Sequence, residues 1–288
     1  MQRLSENIYS ETETRGCNPS YVLTSAGAVV IDTPQLPTQA VALRERIEEQ
    51  MPIAYLINTE HHIDHIFGNY YFAGAGIVVS HVEVRNNFMT VAENGFDPYE
   101  YAKEAIPVDD PAGAAIFPDR DVYYASMNQP SVTFDRNLTI RVGDHTFELM
   151  HTPGHTPGQI CIHVPEERTV FTGDTIFSQC QTWLHESDIR GWLLTLDMLA
   201  ELDVDTIVPG HGPVCTKNEI NVQRALLHEW MSLVAGGVAR GLSKEDCLDA
   251  VNNIKNRMPV DIGQEYMLDT VIRNNTYALY DKLSHGCR

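Results

Sequence analysis

The stretch Asn58-Thr59-Glu60-His61-His62-Ile63-Asp64-His65 decides how this chain is interpreted. It follows the apolar run Ile53-Ala54-Tyr55-Leu56-Ile57, which predicts a buried strand. Five of the six side chains from Glu60 to His65 can bind a metal ion. A strand that ends in such a loop is a rigid support for a metal, although clustered histidines also occur in solvated loops. The remainder of the chain therefore has to supply further ligands.

Three more predicted strands end in loops that carry histidine or aspartate. The strand at 146–150 leads into His-Thr-Pro-Gly-His-Thr-Pro-Gly at 151–158, the strand at 168–172 into Gly-Asp-Thr at 173–175, and the strand at 206–208 into Pro-Gly-His-Gly at 209–212. Loops at one edge of a sheet converge in space, so distant side chains can meet. The expected metal ligands are Glu60, His62, Asp64, His65, His151, Asp174 and His211.

The spacing of these residues favours two metal ions. Residues two apart in an extended loop face the same way, so Glu60 and His62 can share one ion while Asp64 and His65 address another. Asp174 can bridge the two ions because a carboxylate has two oxygen ligands.

Composition limits the classes of partner. The chain has 288 residues, with 20 basic and 39 acidic side chains and a formal net charge of -19. Such a charge disfavours nucleic acid and anionic membranes and favours a small-molecule substrate. The N-terminus has no apolar signal region, which predicts a cytoplasmic protein. The six cysteines show no CxxC spacing, so they indicate neither a thiolate zinc site nor a disulfide framework.

The order of predicted elements indicates an α/β protein. Strands and helices alternate up to about residue 80, and residues 83–130 form a long aromatic-rich insertion that predicts a lid, a cover for the core or a dimer interface. Residues 1–215 are predicted to be one domain, and residues 216–288 a helical extension packed on it. Its helices are expected at 217–239, 243–256 and 264–283, with a break at Met258-Pro259. A homodimer is compatible with this organisation.

The four motifs, in this order, resemble those of the metallo-β-lactamase superfamily over about residues 1–215. The resemblance implies a four-layer αβ/βα sandwich. It also implies that His62 and His151 bind the first metal, that Asp64, His65 and His211 bind the second, and that Asp174 bridges them. His155 is expected to support the site rather than bind a metal.

Glu60 departs from the family pattern, which has histidine at this position, so the loop reads ExHxDH. A carboxylate there makes the site less positive and harder, which shifts the expected metals from zinc toward iron or manganese, while zinc remains compatible. His61 is expected to be a solvent-facing or supporting histidine, because its side chain points away from that of its neighbour.

The leading hypothesis is a binuclear metal-dependent hydrolase that acts on an ester, thioester, lactone or amide of a small, fairly apolar metabolite through a metal-bridging hydroxide. Asp64 and His185 are the expected catalytic residues, and Trp183 and Arg190 the expected substrate contacts. The alternatives are a non-haem di-iron or di-manganese oxidoreductase or oxygenase, and a non-catalytic binding member. Glutathione thioesters are disfavoured, because the C-terminal tail offers few basic residues, namely Lys244, Lys255 and Arg257.

Overall fold

Two β-sheets form the centre of the computed structural model, which describes residues 1–92, 95–255 and 264–285. The strands of the first sheet, in spatial order, are β1 (Gln2–Arg3), β2 (Ile8–Ser10), β3 (Ser20–Thr24), β4 (Gly27–Ile31), β5 (Ile53–Ile57), β6 (Ile77–His81) and β7 (Val132–Phe134). Those of the second are β12 (Thr206–Val208), β11 (Thr169–Phe171), β10 (Ile160–Val164), β9 (His145–His151) and β8 (Asn137–Val142).

Helices cover the outer faces of both sheets. They are α1 (Pro37–Glu48), α2 (Ile63–Ile66), α3 (Val82–Asn86), α4 (Pro98–Asp109), α5 (Arg120–Ser126), α6 (Ile189–Glu201), α7 (Asn218–Ala239), α8 (Lys244–Lys255) and α9 (Leu268–His285). A 3-10 segment, Phe67–Phe72, continues α2. The predicted α/β class and αβ/βα sandwich are confirmed.

Burial explains this layering. Apolar side chains of the two sheets face each other in one cluster that includes Val29, Ile57 and Phe147. The opposite face of the first sheet packs on α1 through Ala40 and Ile47. Both faces of β4 and β10 are covered, so these strands are buried at every position, and apart from His163 in β10 their residues are apolar.

Parallel pairing brings the functional loops to one edge of the sandwich. Ile31 of β4 is in register with Ile57 of β5, so the loops that follow both strands leave the sheet together. Phe171 of β11 is likewise in register with Val208 of β12. The turn between β9 and β10 lies at the same edge, since His151 pairs with Ile160. The motif loops therefore converge, as expected from the strand-end pattern.

The insertion at 83–130 is a small helical unit with its own apolar cluster. Tyr123 is fully buried there, stacks on Phe67 with ring centroids 4.8 Å apart, and donates a hydrogen bond to its carbonyl oxygen at 3.0 Å. The sequence of the insertion predicts a helix from Glu83 to Glu93, but α3 ends at Asn86, and Glu93 lies outside the described residues.

The C-terminal helices share a core with the second sheet. Trp230 of α7 and Ile272 of α9 are buried in one cluster with Cys161 and Val170 of the sheet and Trp192 of α6. The described parts of this region agree with the three expected helices, while the predicted break at Met258-Pro259 lies outside the described residues. The division at residue 215 stays a prediction.

Candidate metal centre

The loop after β5 places four potential ligands at the edge of the first sheet. Glu60 and His65 are fully buried, whereas the side chains of His62 and Asp64 are 20% and 17% exposed. The loop turns directly into the short helix α2, so His65 points back under the loop toward Glu60, with Nε2 3.5 Å from Oε1. One compact segment thus presents ligands on two sides.

Glu60 is the centre of a first group of ligand atoms. Its Oε2 lies 2.8 Å from Nδ1 of His62, and its Oε1 lies 3.4 Å from Nε2 of His155. Asp174 reaches the same place, with Oδ2 3.4 Å from Nε2 of His155. The potential ligand atoms of Glu60, His62, His155 and Asp174 all lie within 4.8 Å of one another.

A second group adjoins the first. His211 Nε2 lies 3.2 Å from Oδ2 of Asp64 and 3.4 Å from Oδ2 of Asp174. His65 Nε2 lies 3.1 Å from Oδ1 of Asp174. Asp174 therefore stands between the two groups, which is where a bridging carboxylate has to be.

His151 lies outside both groups, and His155 takes the place expected for it. His151 is still in β9 and faces the same side as Leu149 two residues earlier, toward the first sheet. There its ring stacks on His81 with centroids 3.9 Å apart, and its Nε2 donates to the Pro157 carbonyl at 2.8 Å. His155 sits four residues on, in the turn beyond the strand, which carries it to the site. Choosing the strand-end histidine instead of the turn histidine was wrong.

The donor set fits metal ions. Both oxygens of Glu60, Nε2 of His65 and Oδ1 of Asp174 are buried without a hydrogen-bond partner among the described residues. Unpartnered buried polar atoms are costly, so several that point at one place indicate a missing ligand. Two divalent ions would more than offset the three negative charges of Glu60, Asp64 and Asp174.

For two of the histidines, a neighbouring oxygen bonds Nδ1 and leaves Nε2 directed at the ligand groups. Nδ1 of His155 lies 3.0 Å from the Trp183 carbonyl oxygen, which can only accept, so Nδ1 donates and Nε2 keeps the lone pair that faces Glu60. Nδ1 of His65 lies 2.9 Å from Oδ2 of Asp32. Such partners fix the orientation of an imidazole for metal binding.

Asp32 is a functional residue that the sequence reasoning missed. It adopts φ +56°, an uncommon conformation for a residue with a side chain, and its carboxylate accepts bonds from the Thr59 amide at 2.7 Å and hydroxyl at 2.6 Å. It directly follows β4 as the other ligands follow their strands, so the strand-end pattern contained this signal.

Close contact among the loops explains two glycines of the motifs. A side chain at Gly210 would overlap Asp174, and one at Gly173 would overlap Gln159 and Thr59. Gly173 also has φ +47°. These glycines let the second-sheet loops approach the ligands.

Charge in the centre favours ionised carboxylates when no ion is bound. Burial alone raises the pKa of Asp174, but His211 and His65 hold that pKa well below its usual value. The pKa of Glu60 is also lowered, since His62 and His155 outweigh its burial. The carboxylates are therefore available as anionic ligands.

A cavity of about 390 Å³ opens above the centre. Its floor includes Asp64, Asp174 and His211, and its walls come from Trp183 and His185, from Ala92, Phe96 and Tyr101 of the insertion, and from Gln264, Met267 and Asn274 before and within α9. No Lys or Arg is among the described residues that line it. Of the insertion aromatics, Phe96 and Tyr101 reach the cavity, whereas Tyr99, Phe117, Tyr123 and Tyr124 belong to the separate apolar cluster.

Of the remaining expected site residues, one lies in the cavity wall and one lies away from the cavity. His185 lies in the wall, stacked on His62 with centroids 5.4 Å apart, and burial together with His62 lowers its pKa to about 3. It is therefore a neutral imidazole. Arg190 is exposed in the first turn of α6 and does not line the cavity, so it was wrongly expected at the site.

Glu186 is a wall residue that the sequence reasoning did not single out. Its Oε2 lies 3.4 Å from Nε2 of His61 and 3.6 Å from Nε2 of His62. The proximity of these two imidazoles holds the pKa of Glu186 far below its usual value despite partial burial. His61 thus faces Glu186, and together with His62 these side chains form a further group of potential ligand atoms, so the expectation that His61 is not a ligand stays a prediction.

A family profile described as the metallo-beta-lactamase superfamily matches residues 13–211. The chain belongs to this superfamily. An acyl-coenzyme A thioesterase, MBLAC2 of Bos taurus, is 33% identical over 88 residues, which are 29% of this chain and 32% of the relative. A hydroxyacylglutathione hydrolase of Maricaulis maris is 27% identical over 182 residues, 63% of this chain and 56% of the relative. The match to the thioesterase thus spans about a third of that protein.

Among solved structures, a metallo-beta-lactamase from Pontibacter korlensis superimposes with a TM-score of 0.59. The superposition covers 79% of this superfamily member and 97% of that chain, at 18% sequence identity. At this identity the likeness concerns the fold. None of the helices in the described ranges is long and apolar enough to cross a membrane.

Proposed function

We propose that this superfamily member is a metal-dependent hydrolase with two metal ions that cleaves a carboxylic ester or thioester of an apolar acyl group. The observation that carries the proposal is the pair of adjacent ligand groups, joined by Asp174 and containing several buried atoms without partners. Glu60, His62, His155 and Asp174 would hold the first ion, and Asp64, His65, His211 and Asp174 the second. Bound divalent ions would supply an activated water and polarise the substrate carbonyl.

The cavity supports the substrate class. Bound ions would offset the carboxylates of its floor, and its walls include Phe96, Met267 and Trp183, so these walls suit a substrate whose enclosed part is neutral and apolar. The neutral His185 in the wall can donate one hydrogen bond to a substrate oxygen and accept another, which is the role left to it after its low pKa excludes an imidazolium donor.

Relatives named as thioesterase and hydroxyacylglutathione hydrolase agree with thioester cleavage. The two relatives are named for thioesters of different thiols, coenzyme A and glutathione, and these thiols carry their charges at different places. The described cavity wall offers no cation for a glutathione peptide, and Lys244 is paired with Asp281 at 2.6 Å. Arg257 and the side chain of Lys255 lie outside the described residues. An apolar acyl group in the cavity, with the thiol part directed outward, suits these walls better.

The test is hydrolysis by metal-loaded protein of acyl thioesters and matched oxygen esters with acyl chains of increasing length, with a hydroxyacyl glutathione thioester for comparison. We expect activity that disappears after chelation, returns with added metal and is higher for apolar acyl groups. Oxygen consumption coupled to substrate loss would instead establish the oxidoreductase alternative. Equal turnover after complete removal of metal would overturn the proposal. The cytoplasmic location and the homodimer stay predictions.

A further inference from the structure

The loop at 177–188 connects the metal centre to the C-terminal helices. Its Trp183 carbonyl accepts the hydrogen bond from Nδ1 of His155, and its Glu186 contacts Nε2 of His62. One loop therefore lies against two ligands of the first group and orients His155 through a hydrogen bond. What holds this loop in place determines how accurately these ligands are positioned.

Asn275 of α9 clamps the loop on both sides of Trp183. Its Nδ2 donates to the Thr182 carbonyl oxygen at 2.8 Å, and its Oδ1 accepts from the Leu184 amide at 2.6 Å. Asn275, Thr182 and the Leu184 side chain are fully buried. A side-chain amide that satisfies a donor and an acceptor two residues apart fixes the peptide units between them.

Two further polar side chains from the extension hold the same loop. Gln223 of α7 donates to the Thr182 hydroxyl at 3.0 Å and accepts from the Phe177 amide at 3.2 Å. Lys282 of α9 donates to the Ser187 carbonyl oxygen. The loop is thus bound to the extension over most of its length, and Asn275 is the contact next to Trp183.

We infer that Asn275 is a positioning residue for the first metal: through residues 182–184 it holds the Trp183 carbonyl that sets the tautomer and direction of His155. His155 has Nε2 directed at Glu60 and Asp174 only while Nδ1 keeps its acceptor. The helical extension is then part of the metal centre and does more than complete the core. This inference rests on the proposed metal centre and adds a residue with no direct contact with the ions.

The decisive variant is Asn275→Leu, which keeps the side-chain size and removes both hydrogen bonds. Thr276→Val is the matched control, since Thr276 is also fully buried in α9 but bonds Trp230 and the Ile272 carbonyl instead of the loop. Metal-free protein is titrated with Zn²⁺ and with Mn²⁺, and the bound stoichiometry and both dissociation constants are measured. Partners that orient a ligand contribute about 10–100-fold to metal affinity.

We expect Asn275→Leu to weaken one of the two sites by about 10–100-fold and to leave the other within about threefold, with Thr276→Val unchanged at both. Histidine ¹⁵N NMR of the metal-free proteins supplies a second readout. His155 should be protonated at Nδ1 in the wild type and the control, and should lose this preference in Asn275→Leu.

Unchanged affinities together with an unchanged His155 tautomer in a folded Asn275→Leu protein would overturn the inference. If the leucine variant does not fold, Asn275→Ser, which also loses both bonds but leaves room for water, is measured in the same way. A wild type that binds no metal would refute the proposed function, while the tautomer measurement would still test the clamp separately.

Discussion

The two halves of the site are built in different ways. The ligand half consists of residues in the segments that follow strands, and parallel pairing holds several of these segments at one sheet edge. The wall half comes from the loop at 177–188, the insertion and the C-terminal helices, and these helices are joined to the loop by side-chain packing and by side-chain hydrogen bonds. Strand register fixes where the ligand loops leave the sheet, whereas the positions of the wall residues depend on how the helices pack. We therefore expect the loops of the sheets to carry the chemistry and the helices to influence substrate choice.

The largest expected effect tests whether the two halves are separable. Deleting residues 220–288 removes Trp230 and Leu227 from the cluster that covers the second sheet, and it removes Gln223 and Asn275 from the site loop. Exposing such a surface favours aggregation, so we expect insoluble protein. Soluble expression and binding of two metal ions by the truncated chain would show that the ligand half stands alone.

Much of the ligand half is predictable from the sequence, for physical reasons. Ligand residues that follow a buried apolar strand have to lie near the sheet edge where that strand ends. Glu60, Asp174 and His211 therefore lie at the expected edge. The choice between His151 and His155 required knowing that the strand extends through His151. Asp32 was missed although it follows the same strand-end pattern.

The individual residues of the wall half could not be predicted from the sequence. Asn275 is one polar residue within a helix, and its partner loop lies more than 90 positions earlier in the chain. Phe96 and Tyr123 belong to the same aromatic-rich insertion, yet one lines the cavity and the other fills a separate core. Only the packing of the helices determines which of these residues lines the cavity and which is buried elsewhere.

The substitution Glu60→His tests the departure of the ligand half from its family. Histidine replaces a hard anionic oxygen with a neutral nitrogen, so we expect the ratio of zinc to manganese affinity to rise by about tenfold or more. Competitive metal titration measures this ratio, with Glu60→Gln as the comparison that removes the charge but adds no imidazole. If metal preference and activity were both unaltered by Glu60→His, Glu60 would have no role in the centre.

A smaller effect is expected in the wall half. Phe96→Ala removes apolar surface from the cavity without touching a ligand, so KM for an apolar acyl substrate should rise about 3- to 10-fold while the dissociation constants for metal stay the same. Val122→Ala is the control, because Val122 is an exposed apolar residue of the same insertion that does not line the cavity. A fall in metal affinity for Phe96→Ala would mean that the two halves are coupled at this wall.

The smallest effect concerns the end of the sandwich opposite the site, which belongs to neither half. His145 at the start of β9 contacts Oδ1 of Asp144 at 2.9 Å and Oε1 of Glu167 at 3.0 Å. Burial by itself lowers the pKa of His145, but these two carboxylates raise it above the usual value. A raised pKa in the folded state means that the charged imidazole stabilises the fold below about pH 6.5, and that this contribution is lost as the pH rises through the raised pKa.

Comparison of wild type with His145→Gln by urea unfolding at pH 5.5 and pH 9 measures this contribution. We expect the variant to be less stable at pH 5.5 and the difference to shrink at pH 9, with metal affinity unchanged at both. His228→Gln, at an exposed position of α7, controls for loss of a histidine as such. A stability difference that grew toward pH 9 would contradict the raised pKa, and a change in metal affinity would show that this end of the sheets communicates with the ligand half.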